Sequence, residues 1–225
     1  MRITIAGGHG QIAQQLERQL TRAGHEAVGL VRNPDHVADL EANGAEAVVL
    51  DLEHASVADV ARALDGSDAV VFAAGGGPNS GVERKETVDK NAAILLADAA
   101  EEAGVARYLM ISSMGAEDAD PDSDDVFQVY LRAKKAADDD LRRRDLAWTV
   151  VRPGRLTDEP GTGLVQVGDL PRGSVTREDV AAVLVAALDV TRTVPGSSVS
   201  RPGRTIVQAR SRRRRSSSAA FFARR

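Results

Sequence analysis

The hydrophobic positions at the start of the chain follow two periods in succession. Residues 3–6 form a short apolar run, and three glycines within residues 7–10 follow it directly. Ile12, Leu16 and Leu20 then recur at four-residue spacing, which places them on one face of a helix. This order predicts a strand, a glycine turn and an amphipathic helix within the first twenty residues.

The same alternation of strand and helix patterns continues along the chain. Strands are predicted over 26–31, 47–50, 68–74, 108–111 and 148–151, and helices over 35–42, 56–64, 82–103, 126–144 and 176–189. The all-apolar run 47–50 is typical of a strand buried on both faces, and 68–74 is predicted to be another buried strand. Strands that alternate with helices predict an α/β fold with a doubly wound parallel sheet and right-handed crossovers. Ligands bind such sheets beyond the carboxyl ends of the strands.

The glycine turn carries the first candidate chemistry. The segment from Gly7 to Ala13, GGHGQIA, fits both G-x-x-G-x-x-A and G-x-G-x-x-A. Gly7 permits a sharp turn, Gly10 lets the backbone approach a phosphate, and Ala13 allows the helix to pack closely on the strand. Backbone N–H groups at the start of a helix bind anions, so the turn predicts a dinucleotide site that holds the pyrophosphate.

The end of the second strand indicates which dinucleotide is bound. An acidic residue at this position typically bonds the ribose 2′-hydroxyl of NAD. Here the position holds Arg32, and the next acid along the chain is Asp35. A guanidinium pairs bidentately with phosphate, so Arg32 predicts NADP(H) in preference to NAD(H). The alternative is an ordinary surface arginine in a loop.

A tyrosine and a lysine supply the second candidate chemistry. Tyr130 and Lys134 form a Y-x-x-x-K motif within a predicted helix, and the four-residue spacing places both on one face. A neighbouring ammonium favours the tyrosinate and so suits the tyrosine to acid/base work.

With these motifs in order, the chain resembles the atypical short-chain dehydrogenase/reductases, of the NAD(P)-binding, epimerase-like kind related to NmrA. The resemblance covers residues 1 to about 194. It rests on the segments AGGHGQIA, LVRNPD, VVLDLE, VVFAAGGG, ETVDKNAAILLADAA, YLMISSMGA, YLRAK and TVVRPGRLTDEPGTG. It implies a Rossmann-like single domain with a small C-terminal substrate region.

The resemblance also implies roles for individual residues. The expected cofactor-binding residues are Gly7, His9, Gly10, Gln11 and Ile12 at the pyrophosphate, Arg32 at the 2′-phosphate, Asp51 and Leu52 at the adenine, Ala73, Ala74 and Gly75 at the ribose, and Ser112, Lys134, Pro153 and Gly154 at the nicotinamide end. The expected catalytic residues are Tyr130 as proton donor or acceptor, Lys134, Ser113 (or else Ser112) at the substrate oxygen, and Asp89. Asp89 stands where the family's catalytic asparagine is expected, with Asn91 two residues away.

Two functions are compatible with this set. The first is an NADP(H)-dependent oxidoreductase or epimerase-like enzyme that acts on a small carbonyl or alcohol substrate. The second is a non-catalytic NADP(H)-binding redox sensor of the NmrA type. The presence of both Tyr130 and Lys134 favours the enzyme, whereas Asp89 in place of asparagine leaves room for the sensor.

Composition narrows the possible partners and surroundings. The chain has no cysteine, so disulfides, thiolate catalysis and the common structural zinc sites are excluded. Its four histidines have unrelated spacings, and the acidic segment 117–125 lacks the pattern of a Ca²⁺ loop, so no metal site is expected. No apolar run is long enough to span a membrane, and no signal peptide pattern is present. We therefore expect a cytoplasmic monomer or homodimer.

The C-terminal stretch differs from everything before it. Residues 191–225 contain ten Arg and no Asp, Glu or Lys, whereas residues 1–190 carry a net charge of −14. The acidic body is not expected to bind nucleic acid. We predict a domain over 1–194 and a basic, disordered tail over 195–225, in which residues 203–207 resemble a final strand. A tail for anionic partners, a shifted reading frame and low-complexity divergence remain open as explanations.

Overall fold

A computed structural model of the protein describes residues 1–77, 80–190 and 205–211. The strands are β1 (Arg2–Ala6), β2 (Glu26–Val31), β3 (Glu46–Val49), β4 (Ala69–Phe72), β5 (Arg107–Ile111), β6 (Ala147–Pro153), β7 (Arg155–Thr157), β8 (Val165–Val167), β9 (Ser174–Thr176) and β10 (Thr205–Ser211). The α-helices are α1 (Gln11–Arg22), α2 (Val37–Ala42), α3 (Val57–Ala63), α4 (Val82–Arg84), α5 (Ala93–Glu102), α6 (Val126–Arg143) and α7 (Arg177–Val190). Among the described helices, none is both long and apolar enough to cross a membrane.

The large sheet has the strand order β3-β2-β1-β4-β5-β6-β10-β8. Its first seven strands are parallel, and β8 pairs antiparallel with β10 at the edge. The chain builds outward from β1 to β3 and then crosses to the other side of β1 with β4. This reversal opens a crevice between β1 and β4, which is where ligands bind in doubly wound sheets. The predicted Rossmann-like fold is confirmed.

Alternating side chains along the central strands fill two cores, one on each face of the sheet. This follows from the two-residue period of a strand, which sends neighbouring side chains to opposite faces. One core contains Ile3, Ile5, Val71 and Leu109 together with residues of α1 and α7, and the other contains Val70, Phe72, Tyr108 and Met110 together with residues of α5 and α6. Both faces are therefore covered, as a parallel sheet requires.

The helix predicted over 82–103 is present, but it is not uniform. Residues Lys85–Ala92 form a π-helical segment between α4 and α5. A π segment inserts an extra residue into the helical turn and changes which side chains face the sheet. Here it directs Lys85, Val88 and Asp89 into the interior. The sequence pattern does not distinguish this segment from a regular α-helix.

Local hydrogen bonds confirm two predicted helix starts. Ser56 and Asp59 form a reciprocal capping box at the start of α3. The backbone N–H of Asp179 donates to the Thr176 hydroxyl at 3.0 Å, just before the first turn of α7. These bonds use N–H groups that would otherwise have no partner at a helix N-terminus.

The structure corrects the predicted burial of the third strand and shows a further strand within the predicted tail. The strand at 46–49 is not buried on both faces, because β3 is an edge strand and Val49 is 50% exposed. Residues Thr205–Ser211 pair with β6, in register Thr205 with Thr149, so this part of the predicted tail lies within the sheet. Residues 191–204 and 212–225 lie outside the described residues, and the division of the chain at residue 194 stays a prediction.

Candidate functional site

A cavity of roughly 490 Å³ lies at the carboxyl ends of β1, β2 and β4. Most of the residues predicted to bind the cofactor line it, namely Gly7, His9, Gly10, Gln11, Ile12, Arg32, Asp51, Leu52, Ala73, Ala74 and Gly75. Four predicted residues do not line it, namely Ser112, Lys134, Pro153 and Gly154. The cavity therefore matches the pyrophosphate and adenosine half of the predicted site, and the other residues lie outside its wall.

The glycine turn forms the floor of the cavity through backbone geometry. Gly7 has φ of +81°, and a Cβ atom at this position would lie 2.7 Å from the Ala74 Cα. The N–H groups of Gly7 and Gly8 donate to the Leu30 carbonyl, which fixes the turn against β2. Gly10 immediately precedes α1, so the unpaired N–H groups of the first helical turn face the cavity. Only glycine at position 7 allows the turn to lie this close to Ala74. A turn of bare backbone at a helix start suits the binding of a pyrophosphate.

Two arginines share one carboxylate at the adenosine end. Arg32 Nη1 lies 3.2 Å from Glu53 Oε2, and Arg84 Nη1 lies 2.8 Å from the same oxygen. The hydroxyl of Thr87 donates to the other Glu53 oxygen at 2.6 Å. Glu53 thus supplies an acidic partner to Arg32 from a distant part of the chain. The Arg32 side chain is 56% exposed, so part of its guanidinium faces solvent beside this ion pair.

The aromatic rings of two histidines stack on each other in the cavity wall. The His9 and His36 ring centroids lie 3.5 Å apart, and His9 Nε2 lies 2.8 Å from Asp39 Oδ2. Both rings line the cavity. The pKa of Asp51 is lowered: burial opposes this, but hydrogen bonds from His54 and the Glu53 backbone outweigh it. Asp51 therefore stays an ionised acceptor in the cavity wall, where the sequence predicts contact with the adenine.

Tyr130 and Lys134 lie together on one face of α6, as their spacing predicts. Lys134 Nζ lies 5.9 Å from the centre of the Tyr130 ring and 5.3 Å from that of Phe72. The lysine side chain is 5% exposed and donates to the Ile111 carbonyl at 3.2 Å. The pair therefore stands beyond the end of β5, next to the cavity.

Asp89 neutralises Lys134 from the π-helical segment. Asp89 Oδ1 lies 3.3 Å from Lys134 Nζ, and Oδ2 accepts the Gly76 N–H at 3.0 Å. Both side chains are buried. Asp89 thus connects the lysine to the glycine-rich loop after β4, and a buried charge pair is stable only with such additional hydrogen bonds.

The two serines after β5 differ in their hydrogen bonds. Ser112 is buried, and its hydroxyl donates to Asp138 Oδ2 at 2.8 Å. Ser113 is half-buried, and its hydroxyl is 3.3 Å from the Met114 carbonyl. Because the Ser112 hydroxyl is buried in a short bond to a carboxylate, whereas the half-buried Ser113 hydroxyl makes only a long bond to a carbonyl, the geometry favours Ser113 for a contact with a substrate oxygen.

A buried network of charges lies beneath these serines. Arg152 donates to Asp138 Oδ2 through Nε at 3.0 Å and through Nη2 at 2.7 Å, and Nη2 also donates to Glu117 at 2.7 Å. Burial raises the pKa of Asp138, against the opposing effect of Arg152. Glu117 is less buried, so the hydrogen bonds from Arg152 and Arg142 overcome burial and lower its pKa to about 2. The network fixes the carboxyl end of β6, where Pro153 accepts the Met114 N–H.

Several residues of the site were not predicted from the sequence. They are His36, Glu53, Arg84, Leu156 and Arg177, which line the cavity, and Lys85, which lies beside Tyr130. The sequence weakly indicates Glu53 as a site residue, because it follows a strand and lies two residues after Asp51. Nothing in the sequence indicates Lys85 as a site residue, since a lysine in a polar helical stretch is normally exposed.

Comparisons with known proteins identify the family. A family model described as NAD(P)H-binding matches residues 7–191. The chain is 38% identical over 191 residues to YhfK of Bacillus subtilis, described as an uncharacterized sugar epimerase, with 84% of this chain and 88% of the relative covered. It is 31% identical over 196 residues to a (4-alkanoyl-5-oxo-2,5-dihydrofuran-3-yl)methyl phosphate reductase of Streptomyces griseus, with 83% of this chain and 62% of the relative covered.

A solved structure is similar over nearly the whole chain. It comes from Bacillus halodurans, is described as a candidate NAD-dependent epimerase/dehydratase, and superposes with a TM-score of 0.82 at 35% identity, covering 94% of each chain. The matching family model spans the glycine turn, Arg32, Tyr130 and Lys134. The chain therefore belongs to the NAD(P)H-binding, epimerase-like branch of the atypical short-chain dehydrogenase/reductases, related to NmrA.

Proposed function

We propose that the protein is an NADP(H)-dependent oxidoreductase that acts on a small carbonyl or alcohol substrate. The observation that carries this proposal is the juxtaposition of Tyr130 and Lys134 beside the cavity, with 5.9 Å between the ammonium and the phenol ring centre. A bound nicotinamide supplies hydride exchange with a carbonyl carbon. The protein's own contribution is to place the substrate oxygen and to move a proton at it.

Each residue near the reaction end has a distinct task in this proposal. The Tyr130 hydroxyl donates a proton to the substrate oxygen during reduction and accepts one during oxidation. The Ser113 hydroxyl donates a hydrogen bond that holds the same oxygen. Lys134 binds the nicotinamide ribose, and Asp89 keeps the lysine side chain in position through its 3.3 Å ion pair.

We further propose that NADP(H) is preferred to NAD(H). Arg32 is 56% exposed at the cavity edge, and a 2′-phosphate would take over the exposed guanidinium that now forms a 3.2 Å ion pair with Glu53. Arg32→Ala is expected to weaken NADPH binding by about tenfold to a hundredfold, because hydrogen bonds between charged groups contribute about 1.5–3 kcal/mol. NADH binding should change by less than about threefold, since NADH lacks the phosphate. Quenching of Trp148 fluorescence measures both dissociation constants, and equal losses for the two cofactors would contradict the preference.

A panel of aldehydes and ketones with NADPH tests the activity itself. We expect turnover of at least one carbonyl compound, a large loss of kcat in Tyr130→Phe, and unchanged NADPH binding in that variant. Phe127→Leu is the matched control, because Phe127 stacks on Tyr130 at 5.9 Å but has no group that transfers a proton. Tight NADPH binding without turnover of any compound would contradict the oxidoreductase.

A non-catalytic NADP(H) sensor is the second candidate. The observation that favours it is the Lys134–Asp89 ion pair, which compensates the charge that the lysine would otherwise direct at Tyr130. Asp89→Asn restores the residue type expected from the family. Turnover in either form supports the enzyme, whereas a complete absence of turnover in both forms supports the sensor.

A further inference from the structure

The structure describes three buried Lys or Arg side chains, and they differ in how their charge is compensated. Lys134 lies 3.3 Å from Asp89, and Arg152 lies 2.7 Å from Asp138. Lys85 is 5% exposed, yet among the described residues no carboxylate lies within 4.0 Å of its ammonium. Residues 78, 79, 191–204 and 212–225 contain no Asp or Glu.

The Lys85 ammonium is bonded to neutral groups. It donates to the Gly77 carbonyl at 2.5 Å and to the Ser80 hydroxyl at 2.9 Å. An ammonium has three N–H donors, so one donor has no partner among the described residues. A buried charge that lacks an opposite charge is costly, because the loss of hydration is not repaid by ion pairing. The position therefore favours a negatively charged ligand.

The location of Lys85 indicates which ligand this is. Its ammonium lies 5.6 Å from the centre of the Tyr130 ring and donates to the carbonyl of Gly77, a residue that lines the cofactor cavity. Lys85 does not line that cavity, whereas its neighbour Arg84 does. We place the phosphates of the cofactor at the glycine turn and at Arg32, and none of the described contacts of Lys85 involves these residues, so we assign its ammonium another anionic partner. The remaining ligand that comes close to Tyr130 is the substrate.

We infer that the substrate carries a carboxylate or phosphate group, which forms an ion pair with Lys85 while the reacting oxygen meets Tyr130. The anionic group takes the N–H position that has no partner among the described residues and replaces the Ser80 hydroxyl, which is an exchangeable neutral acceptor on the loop after β4. This inference rests on the proposed oxidoreductase function and names the class of its substrate.

Matched acid and ester substrates test the inference with the full-length protein and NADPH. We use 4-formylbenzoate against its methyl ester, succinic semialdehyde against its methyl ester, and 4-formylphenyl phosphate to separate phosphate from carboxylate. The acid is expected to exceed its ester in kcat/KM by at least about tenfold, the lower limit for a hydrogen bond between charged groups. Faster turnover of both esters than of every anionic substrate would overturn the inference and leave the proposed function intact.

Variants connect this preference to Lys85. Lys85→Met should bring the acid-to-ester ratio close to one, and Lys85→Arg should restore part of it. Lys90→Met is the control, because Lys90 lies on the same π-helical segment, pairs with Glu86 and is not buried. It should keep the wild-type ratio. An unchanged ratio in Lys85→Met, with NADPH binding and circular dichroism like the wild type, would overturn the inference.

A binding measurement separates this inference from the proposed function. Benzoate and inorganic phosphate are titrated calorimetrically into the NADPH-loaded protein. Binding that is at least about tenfold weaker in Lys85→Met than in Lys90→Met supports the anion site even if no carbonyl compound turns over. Equal binding to both variants, or no binding of either anion to the wild type, overturns the anion site.

Discussion

The two ends of the site are built from different kinds of chemical group. The cofactor end combines a backbone turn, formed by Gly7 and Gly10 at the position proposed for the pyrophosphate, with side chains in the cavity wall such as Arg32 and Glu53. The reaction end consists of charged side chains packed against one another, with Asp89, Lys134 and Asp138 all buried. The first end binds through N–H groups that any sequence could supply if the turn were maintained. The second depends on the identity of individual side chains.

This difference has an energetic consequence. A change in the glycine turn is expected to affect cofactor binding first, because the turn contacts the ligand directly. A change in the buried network is expected to affect stability first, because an ion that loses its partner remains in a region of low dielectric constant. Four substitutions test this division, in order of decreasing expected effect.

Arg152→Leu removes the cation that compensates Asp138. We expect the free energy of unfolding to fall by about 3–5 kcal/mol, the range for breaking a buried ion pair. Urea unfolding at pH 7 measures it. The double variant Asp138→Leu/Arg152→Leu should recover part of the loss, because neither charge then stays unpaired. Arg62→Leu is the control, because Arg62 pairs with Asp59 on the surface. Its loss should lower the free energy of unfolding by less than about 1 kcal/mol.

Gly7→Ala tests the cofactor end. The positive φ costs about 1–2 kcal/mol for an L side chain, and a Cβ atom 2.7 Å from the Ala74 backbone forces the loops apart. We expect NADPH binding to weaken by at least about a hundredfold, which corresponds to about 2.7 kcal/mol. Gly24→Ala has a similar φ of +78° but no atom within 4 Å, so it isolates the effect of the close approach. Equal NADPH affinity in the two variants would contradict the role of the turn.

Glu17→Gln tests a buried carboxyl beneath the glycine turn. Burial raises the pKa of Glu17 to about 7, against the hydrogen bond from Asn43 and the charge of Arg18. The Glu17 carboxyl ionises at a lower pH in the unfolded chain than in the native state. The native state therefore loses stability as the pH rises from about 4.5 to about 7. We expect the free energy of unfolding of Glu17→Gln to be about 1–3 kcal/mol higher than that of the wild type at pH 8.

At pH 4.5 the stabilities of Glu17→Gln and the wild type should agree closely, since both side chains are then neutral. Urea unfolding at the two pH values measures the difference. Glu26→Gln serves as control, because Glu26 is exposed. A constant difference between Glu17→Gln and wild type across this pH range would show that Glu17 does not titrate as its burial implies.

Ser112→Ala separates structure from catalysis after β5. It removes one hydrogen bond to Asp138 and is expected to lower the free energy of unfolding by about 1–2 kcal/mol, while kcat changes by less than about twofold. Ser113→Ala is the matched variant and should show the reverse, a loss in kcat with little change in stability. A larger kcat loss in Ser112→Ala than in Ser113→Ala would reverse the assignment of the substrate serine.

The sequence determined the cofactor end because its signals are local. The strand, the turn and the first helix follow one another within residues 2–22, and each is specified by the spacing of its own residues. The positions of Tyr130 and Lys134 on one face follow from four-residue spacing in the same way. The topology is predictable too, because right-handed crossovers restrict how alternating strands and helices can pack.

Only the tertiary structure decided how charges pair at both ends of the site. The contacts of Glu53 with Arg32, of Asp89 with Lys134 and of Asp138 with Arg152 join residues 14 to 45 positions apart, so no local pattern reports them. The same holds for β3, whose apolar sequence suits a buried strand although the strand order leaves it at the edge. It holds above all for Lys85, because burial and the absence of an acidic partner among the described residues are properties of the packed protein.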